Sequence, residues 1–318
     1  MTVLERIMPA WRSSPADAVP TITEMNVAVI DVGSYTVRLL VGRRDGRGLE
    51  PLREARAAVG LGAEIEREGC ISESKLDETA RRVRSYSRSA RKLGVETIQV
   101  IVTAPGRQSA NAGELLSTLR EAAGVEAQVL SSAEEGRLAF AGAVAGSAVA
   151  AESIAVIDVG GGSTEVVVGT RSKGPAWVRS FDVGALRLTS RMPAKDPPLP
   201  AALSAAEAEV ETFLEGFSPP LPQAALATGG TARALRKLVG PDLGSDELAV
   251  ALTILEKRSS ARIARTFGID RERAQTLPAG AVILAAVQKR LGVSLRVARS
   301  GLREGAALAL LEDAAAAA

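Results

Sequence analysis

Two aspartates, Asp31 and Asp158, lie within the same six-residue sequence, AVIDVG, which occurs at residues 28–33 and again at 155–160. In both copies the aspartate follows an apolar run and precedes a glycine-containing turn. A carboxylate in this position suits Mg²⁺, a hard cation that binds one or two carboxylates and keeps several of its waters. The alternative is that each aspartate only accepts hydrogen bonds from its own turn. The pattern predicts two candidate metal ligands and leaves that structural role open.

Glycine-containing turns follow four of the predicted strands. Because glycine has no Cβ, successive backbone N–H groups can converge on an anion there. The last two turns also open helices, whose N-termini favour phosphate. One such turn is common, but four of them, two preceded by Asp, predict a cleft that binds a chain of phosphates. The turns contain Gly33 and Ser34; Gly160, Gly161, Gly162, Ser163 and Thr164; Thr228, Gly229, Gly230 and Thr231; and Ser300 and Gly301.

The repeat extends without a gap to fifteen residues, AVIDVGSYTVRLLVG at 28–42 and AVIDVGGGSTEVVVG at 155–169. Each copy is typical of two strands joined by a tight polar turn. A repeat at this distance predicts two homologous domains, each opening with that hairpin. Strands and helices alternate after both hairpins, which predicts an α/β architecture. The stretch REARAAVGLGAEIEREG, residues 53–69, is predicted to be a charged surface loop.

Composition limits the chemistry and the partners. The 318-residue chain is 46% apolar and 24% charged with a formal net charge of +2, which is typical of a globular protein and not of a nucleic-acid binder. No apolar run reaches the roughly 20 residues of a membrane span, so no membrane partner is expected. A single cysteine, Cys70, excludes an intrachain disulfide and predicts a cytoplasmic protein. The absence of histidine leaves acid–base chemistry to carboxylates.

Six motifs follow one another along the chain: DVGSYTVRLLV, TAPGRQSAN, SSAEEGRLAF, VIDVGGGSTE, ATGGTARAL and SGLREGAAL. In this order they resemble those of the exopolyphosphatase/guanosine pentaphosphate phosphohydrolase (Ppx/GppA) family of the actin/sugar-kinase/Hsp70 superfamily. The resemblance covers residues 27–311 and is most specific at DVGGGSTE and GLREG. It implies two ribonuclease-H-like domains with an interdomain cleft.

The resemblance also implies the activity and the roles of several residues. Members release terminal phosphate from inorganic polyphosphate or from guanosine pentaphosphate, with Mg²⁺ (Mn²⁺ as a substitute) and water as the nucleophile. The general base of the family maps onto Glu135, and the acid that closes GGGSTE maps onto Glu165. Two arginines of the family map onto Arg38 and Arg107, which are expected to contact phosphate.

The residues by themselves favour another role for Glu135. SSAEE is also a capping-box pattern, which pairs Ser132 with Glu135 or Ser131 with Glu134. The resemblance favours the general base, since a carboxylate is the common side chain left to deprotonate water near neutral pH.

The domain organisation follows from the same motifs. Residues 1–24 are expected to be a flexible extension, with Met25 as an alternative start. Domain I is predicted to comprise 25–132 plus 302–318, and domain II 133–301. With no histidine and an end soon after GLREG, the chain resembles the short two-domain members. The family includes homodimers, and composition does not indicate whether this chain forms one.

The function expected from all this is an exopolyphosphatase. A guanosine pentaphosphate phosphohydrolase is the nearest alternative, because one phosphate-binding cleft serves both substrates. A kinase of the same superfamily and a non-catalytic nucleotide sensor are the other two classes left open.

Overall fold

A computed structural model describes residues 25–46 and 48–317 of the chain, and the predicted N-terminal extension, residues 1–24, lies outside them. The described chain forms two compact units. Unit 1 contains the described residues up to Ser147, with Ser172–Gly174 and the residues from Ser300 onward. Unit 2 contains Ala148–Arg171 and Pro175–Arg299.

Unit 1 is a mixed five-stranded sheet with helices on both faces. Its strand order is β3-β2-β1-β4-β5, with β1, β2 and β3 antiparallel and β1, β4 and β5 parallel. The elements are β1 (Val27–Val32), β2 (Thr36–Asp45), β3 (Gly48–Ala58), α1 (Leu61–Glu68), α2 (Glu73–Arg91), β4 (Thr97–Val102), α3 (Ala104–Gln108), α4 (Ala112–Ala123), β5 (Ala127–Val129), α5 (Ser132–Ala145) and α12 (Leu302–Ala317).

The two faces of this sheet are buried because side chains alternate along each strand. Ile30 and its neighbours of the same parity pack with Val83 of α2 and Leu115 of α4. Val29 and the other odd-numbered residues of β1 face the opposite side of the sheet, where they pack with Leu138 of α5 and Leu311 of α12. The central strand β1 is buried along its whole length, which explains why its sequence is almost continuously apolar.

Unit 2 repeats this plan around a six-stranded sheet of order β10-β11-β9-β6-β7-β8, in which β6, β9 and β11 are parallel. Removing β10 leaves the same order as in unit 1. The elements are β6 (Ile154–Val159), β7 (Thr164–Thr170), β8 (Gly174–Phe181), α6 (Ala185–Arg191), α7 (Pro200–Phe213), β9 (Ala224–Thr228), α8 (Gly229–Val239), β10 (Asp242–Leu243), α9 (Ser245–Lys257), α10 (Ser260–Phe267), α11 (Arg271–Leu291) and β11 (Leu295–Val297).

The predicted repeated hairpin is confirmed in both units, with the same register. In β1–β2, Asp31 lies opposite Arg38. In β6–β7, Asp158 lies opposite Glu165. The two copies therefore place an aspartate and its cross-strand neighbour in equivalent positions, and they differ in the charge of that neighbour.

The prediction of a surface loop at residues 53–69 is wrong. Its first part continues β3 to Ala58, and its second part is the helix α1. Leu61 and Ile65, one helical turn apart, are both buried and anchor α1, and Gly60 and Gly69 flank it with left-handed backbone conformations. The charged residues between these anchors concealed the helical period.

Helix α5 belongs to unit 1, whereas the predicted boundary assigned residues from 133 onward to domain II. The reason is its packing against α12, which also lies in unit 1. An added Cβ on Gly142 of α5 would lie 2.6 Å from the backbone nitrogen of Gly305, and one on Gly305 would lie 2.8 Å from the carbonyl carbon of Leu138. The two helices touch backbone to backbone, which only glycine permits.

Helix α12 is also tied to the sheet by Arg303, from the GLREG motif. The guanidinium donates to the Leu39 carbonyl at 3.2 Å and pairs with Glu54 at 2.9 Å. The Arg303 side chain is almost fully buried, whereas that of Glu54 is exposed, so the bond to the Leu39 carbonyl is the better shielded of the two contacts. Among the described residues, no helix is long and apolar enough to cross a membrane.

Candidate active site

The predicted functional residues of unit 1 lie where its parallel strands end. The turn containing Gly33 follows β1, Thr103 and α3 follow β4, and Ser131 and α5 follow β5. Because β1, β4 and β5 are neighbouring parallel strands, these segments lie at one edge of the sheet. Open α/β sheets bind their ligands at this edge.

The capping box of α5 uses Ser131 and Glu134. The Ser131 hydroxyl accepts from the Glu134 backbone N–H at 3.2 Å, and the Glu134 carboxylate accepts from the Ser131 backbone N–H at 2.8 Å. Glu135 takes no part in the box, although both glutamates are 8% exposed. Of the two capping arrangements that the sequence allowed, the structure has the one that leaves the Glu135 carboxylate available for another role.

Glu135 instead pairs with Arg107. The Arg107 Nη1 atom lies 2.9 Å from Glu135 Oε2 and donates to the Leu130 carbonyl at 2.8 Å. Arg107 is on the short helix α3 and Glu135 in the first turn of α5, so the pair joins the segments that follow β4 and β5. The charge of the guanidinium attracts the carboxylate and restricts its orientation. Since arginine has five N–H donors, the same side chain has the capacity to contact a phosphate as well.

Asp31 and Arg38 occupy the first hairpin. Asp31 is 8% exposed, and Arg38 donates from Nε to the Thr36 hydroxyl at 3.0 Å. An added Cβ on Gly33 would lie 3.7 Å from the Thr103 hydroxyl and 4.0 Å from Asp31 Oδ1. The turn after β1, the end of β4 and the Asp31 carboxylate are therefore immediate neighbours, and Arg38 lies opposite Asp31 across the two strands.

In unit 2 the corresponding pair consists of two carboxylates. Glu165 is 1% exposed and accepts from the Ser180 hydroxyl at 3.0 Å. It lies directly opposite Asp158, at the separation of about 4.5–5.5 Å between Cβ atoms that cross-strand pairs have. Within residues 25–46 and 48–317, no group of three or more acidic or thiol side chains could hold a metal. Mg²⁺ needs only one or two carboxylates with water, so this donor set fits it.

The glycine turn after β6 is held in one conformation by backbone contacts. The Gly160 N–H donates to the Ser163 carbonyl at 3.0 Å, and the N–H groups of Ala185 and Leu186 donate to the carbonyls of Gly160 and Gly161. Gly161 and Gly162 pass so close to Gly184 that an added Cβ on Gly184 would lie 2.6 Å from the Gly162 nitrogen. Glycine is needed at 184 because two backbones meet there.

The turn after β9 opens helix α8 beside Asp158. Gly229 has φ +85°, and an added Cβ would lie on the Asp158 carboxylate. Gly229 is therefore required both for its left-handed conformation and for space. This contact brings the second predicted aspartate to the N-terminus of a helix, where its charge is stabilised.

Two of the predicted phosphate-binding hydroxyls have structural partners. Thr164 donates to the Val183 carbonyl at 2.6 Å, and Thr231 donates to the Val159 carbonyl at 3.1 Å. Both side chains are fully buried. Thr164 therefore ties β7 to the segment before α6, and Thr231 ties α8 to β6.

Sequence reasoning missed Arg273. An added Cβ on Gly230, at the start of α8, would lie 2.7 Å from Arg273 Nη2 and 3.0 Å from its Cζ. The guanidinium of Arg273, from the first turn of α11, therefore lies over the glycine turn. Nothing near position 273 marks this residue, because only the folding of α11 onto α8 brings it there.

The fold and the residues at these strand ends define a class. Both units have the mixed sheet order of ribonuclease-H-like domains, and the two-domain α/β fold is that of the actin-like superfamily. The chain belongs to the Ppx/GppA phosphatase family, whose model matches residues 40–314. It is therefore a hydrolase of the phosphoanhydride-cleaving type, as expected from the sequence.

Curated relatives and solved structures agree with this family. The chain is 30% identical to exopolyphosphatase 1 of Mycobacterium tuberculosis over 313 residues, which covers 92% of this chain and 90% of the relative. A crystal structure of the Aquifex aeolicus Ppx/GppA family member matches with a TM-score of 0.77 and 25% identity, over 91% of this chain and 98% of that one. An exopolyphosphatase structure from Cytophaga hutchinsonii matches in fold, with a TM-score of 0.82 and 20% identity over 91% and 98%.

Proposed function

We propose that this protein is an exopolyphosphatase that removes the terminal phosphate of inorganic polyphosphate by attack of water. The observation that carries the proposal is the Arg107–Glu135 pair, in which a buried carboxylate is oriented by a guanidinium and is not used as a helix cap. The exopolyphosphatase relatives support polyphosphate as the substrate. We also propose that the protein acts in the cytoplasm, because a chain with a single cysteine suits a reducing compartment.

In the proposed reaction Glu135 accepts a proton from water as the water oxygen bonds to the terminal phosphorus. The bond between that phosphorus and the bridging oxygen breaks, and the shortened chain leaves with the electron pair. Phosphoryl transfer depends mainly on positioning and on charge stabilisation. The N–H groups of Gly33 and Gly160 donate within their own turns. Other backbone N–H groups of the glycine turns, with Arg38 and Arg107, are proposed to contact phosphate oxygens, and we add Arg273 to this set.

Mg²⁺ is proposed as the cofactor, held by Asp158 with Glu165 as its partner carboxylate. When bound, it would neutralise negative charge on the phosphates. Asp31 is the weaker candidate ligand because Arg38 lies opposite it.

The test compares two adjacent glutamates of equal burial. Glu135→Gln removes the proposed base and should lower kcat by about 10²–10⁴-fold. Glu134→Gln removes the same charge one residue away, and because glutamine also serves in a capping box, it should leave activity and stability close to wild type.

Phosphate release is measured from long-chain polyphosphate, from guanosine pentaphosphate and from ATP, with Mg²⁺ and with a chelator. Release from polyphosphate that is lost in Glu135→Gln and kept in Glu134→Gln supports the proposal. Full activity of a folded Glu135→Gln protein would show that Glu135 is not the general base. Release from the pentaphosphate alone would make the chain a guanosine pentaphosphate phosphohydrolase.

A further inference from the structure

The second half of helix α2 carries a block of positive charge. Residues 81–92, RRVRSYSRSARK, contain six cations and no acid. Val83, Ser87 and Ala90 form the buried side of this segment. The spacing of 81, 84, 88 and 92 places four of the cations on one exposed stripe, one for each helical turn.

This stripe lines a groove on unit 1. The groove has a volume of ≈ 580 Å³ and lies between α2 and the edge strand β3. Ser85 and Ser89 lie along it, and its cationic lining comprises Arg53, Arg81, Arg84, Arg88 and Lys92.

The five cations have no acidic partner among the residues that the structure describes. Elsewhere in unit 1, by contrast, Arg43 forms an ion pair with Glu50, and Lys75 forms one with Glu78. Like charges one helical turn apart destabilise a helix, so an unneutralised stripe has a cost. Cations in a last helical turn are stabilised by the helix dipole, but this does not extend to Arg81 or to Arg53 on a strand.

The groove is separate from the candidate active site. Arg53 lies opposite Val41, which belongs to the core under α2 and α4. Asp31 lies two residues from Val29 on β1 and so faces the same side of the sheet, where Val29 packs in the core under α5 and α12. The cationic groove and the Asp31 carboxylate are therefore on opposite faces of the sheet.

We propose that this groove is an accessory binding site for linear inorganic polyphosphate, which holds a length of chain away from the bond being cut. The proposal rests on the proposed function for its choice of ligand. One guanidinium group can donate two parallel hydrogen bonds to the oxygens of a phosphate. A stripe with one cation for each helical turn also matches a ligand whose negative charges repeat at regular intervals. The lining has no aromatic residue, whereas sites for single-stranded nucleic acid stack bases on aromatic side chains.

The test removes two charges from the groove and two from a matched control. Arg84→Gln/Arg88→Gln alters the groove, and Arg262→Gln/Arg265→Gln alters two exposed arginines on helix α10 of unit 2. Binding of labelled long-chain polyphosphate is titrated in the presence of a chelator. The groove variant should bind at least tenfold more weakly than the control variant, with a plot of log K against log salt that is less steep by roughly one to two units.

Steady-state kinetics add a readout that depends on chain length. The groove variant should raise KM for long-chain polyphosphate at least tenfold more than it raises KM for tripolyphosphate. Circular dichroism establishes that both variants are folded. Equal behaviour of the groove and control variants with active enzyme would overturn the accessory site and leave the proposed function intact.

Two further outcomes separate the two proposals. If the wild-type protein binds polyphosphate without hydrolysing it, and the groove variant no longer binds it, the accessory site stands and the proposed function fails. If single-stranded DNA of equal charge displaces polyphosphate equally well, the groove is a nucleic-acid surface and this proposal is wrong.

Discussion

The contact between α5 and α12 gives a sharp prediction for Gly305→Ala. The added methyl group would lie 2.8 Å from the Leu138 carbonyl carbon and 3.0 Å from the Gly142 nitrogen, with the Leu138 oxygen closer still. These are backbone atoms within a helix, so no rotamer change relieves the clash. The two helices must separate.

The magnitude follows from this geometry. Restoring ordinary contact with the Leu138 oxygen requires the helices to separate by more than about 1 Å, and a gap of about 1 Å already forfeits roughly a quarter to a half of the dispersion energy across the contact. Overpacking of this kind costs about 1–3 kcal/mol or more. The better helix propensity of alanine returns about 1 kcal/mol. Because the clash is with backbone atoms that cannot move alone, we take the upper end of that range, about 3 kcal/mol, which leaves a net loss of roughly 2 kcal/mol in the free energy of unfolding.

Gly113→Ala is the matched control. Gly113 lies in helix α4, and an added Cβ there meets nothing within 4 Å. This change should stabilise the protein by up to about 1 kcal/mol. The two substitutions, identical in chemistry, should shift stability in opposite directions.

Urea unfolding followed by circular dichroism measures both. At a slope of about 2 kcal/mol per molar, Gly305→Ala should lower the midpoint by roughly 1 M. Since α5 carries Glu135, the same variant should also lose phosphatase activity. A Gly305→Ala protein as stable as wild type, or both variants moving in the same direction, would refute the backbone contact.

Two smaller predictions concern stability. Ser131→Ala removes the acceptor of the Glu134 N–H and should cost about 1 kcal/mol in urea unfolding; an unchanged midpoint would mean that the cap is not formed. Burial raises the pKa of Glu312, and Arg44 opposes that shift in part. The folded state therefore loses stability as pH rises from the ordinary carboxylate pKa through the raised one. Glu312→Gln should match wild type near pH 4 and exceed it at pH 7, and a pH-independent difference in midpoint would contradict this.

Much of the framework could be predicted from the sequence because it is encoded locally. The fifteen-residue repeat predicted two hairpins, and their registers place Asp31 opposite Arg38 and Asp158 opposite Glu165. Strand alternation, turn glycines and caps involve neighbours within a few residues. The family motifs then predicted the class of enzyme, which the comparisons confirm.

What the sequence left open was decided by packing between distant segments. Both capping arrangements at the start of α5 were allowed, and the approach of Arg107 from α3 is what gives Glu135 its partner. The position of Arg273 over Gly230 required α11 to fold onto α8. Domain membership of α5 depended on its glycine contact with α12, more than 150 residues away. Local patterns fix which residues form a helix or a strand, but the partner of a buried charge is set by the surfaces that the whole fold brings together.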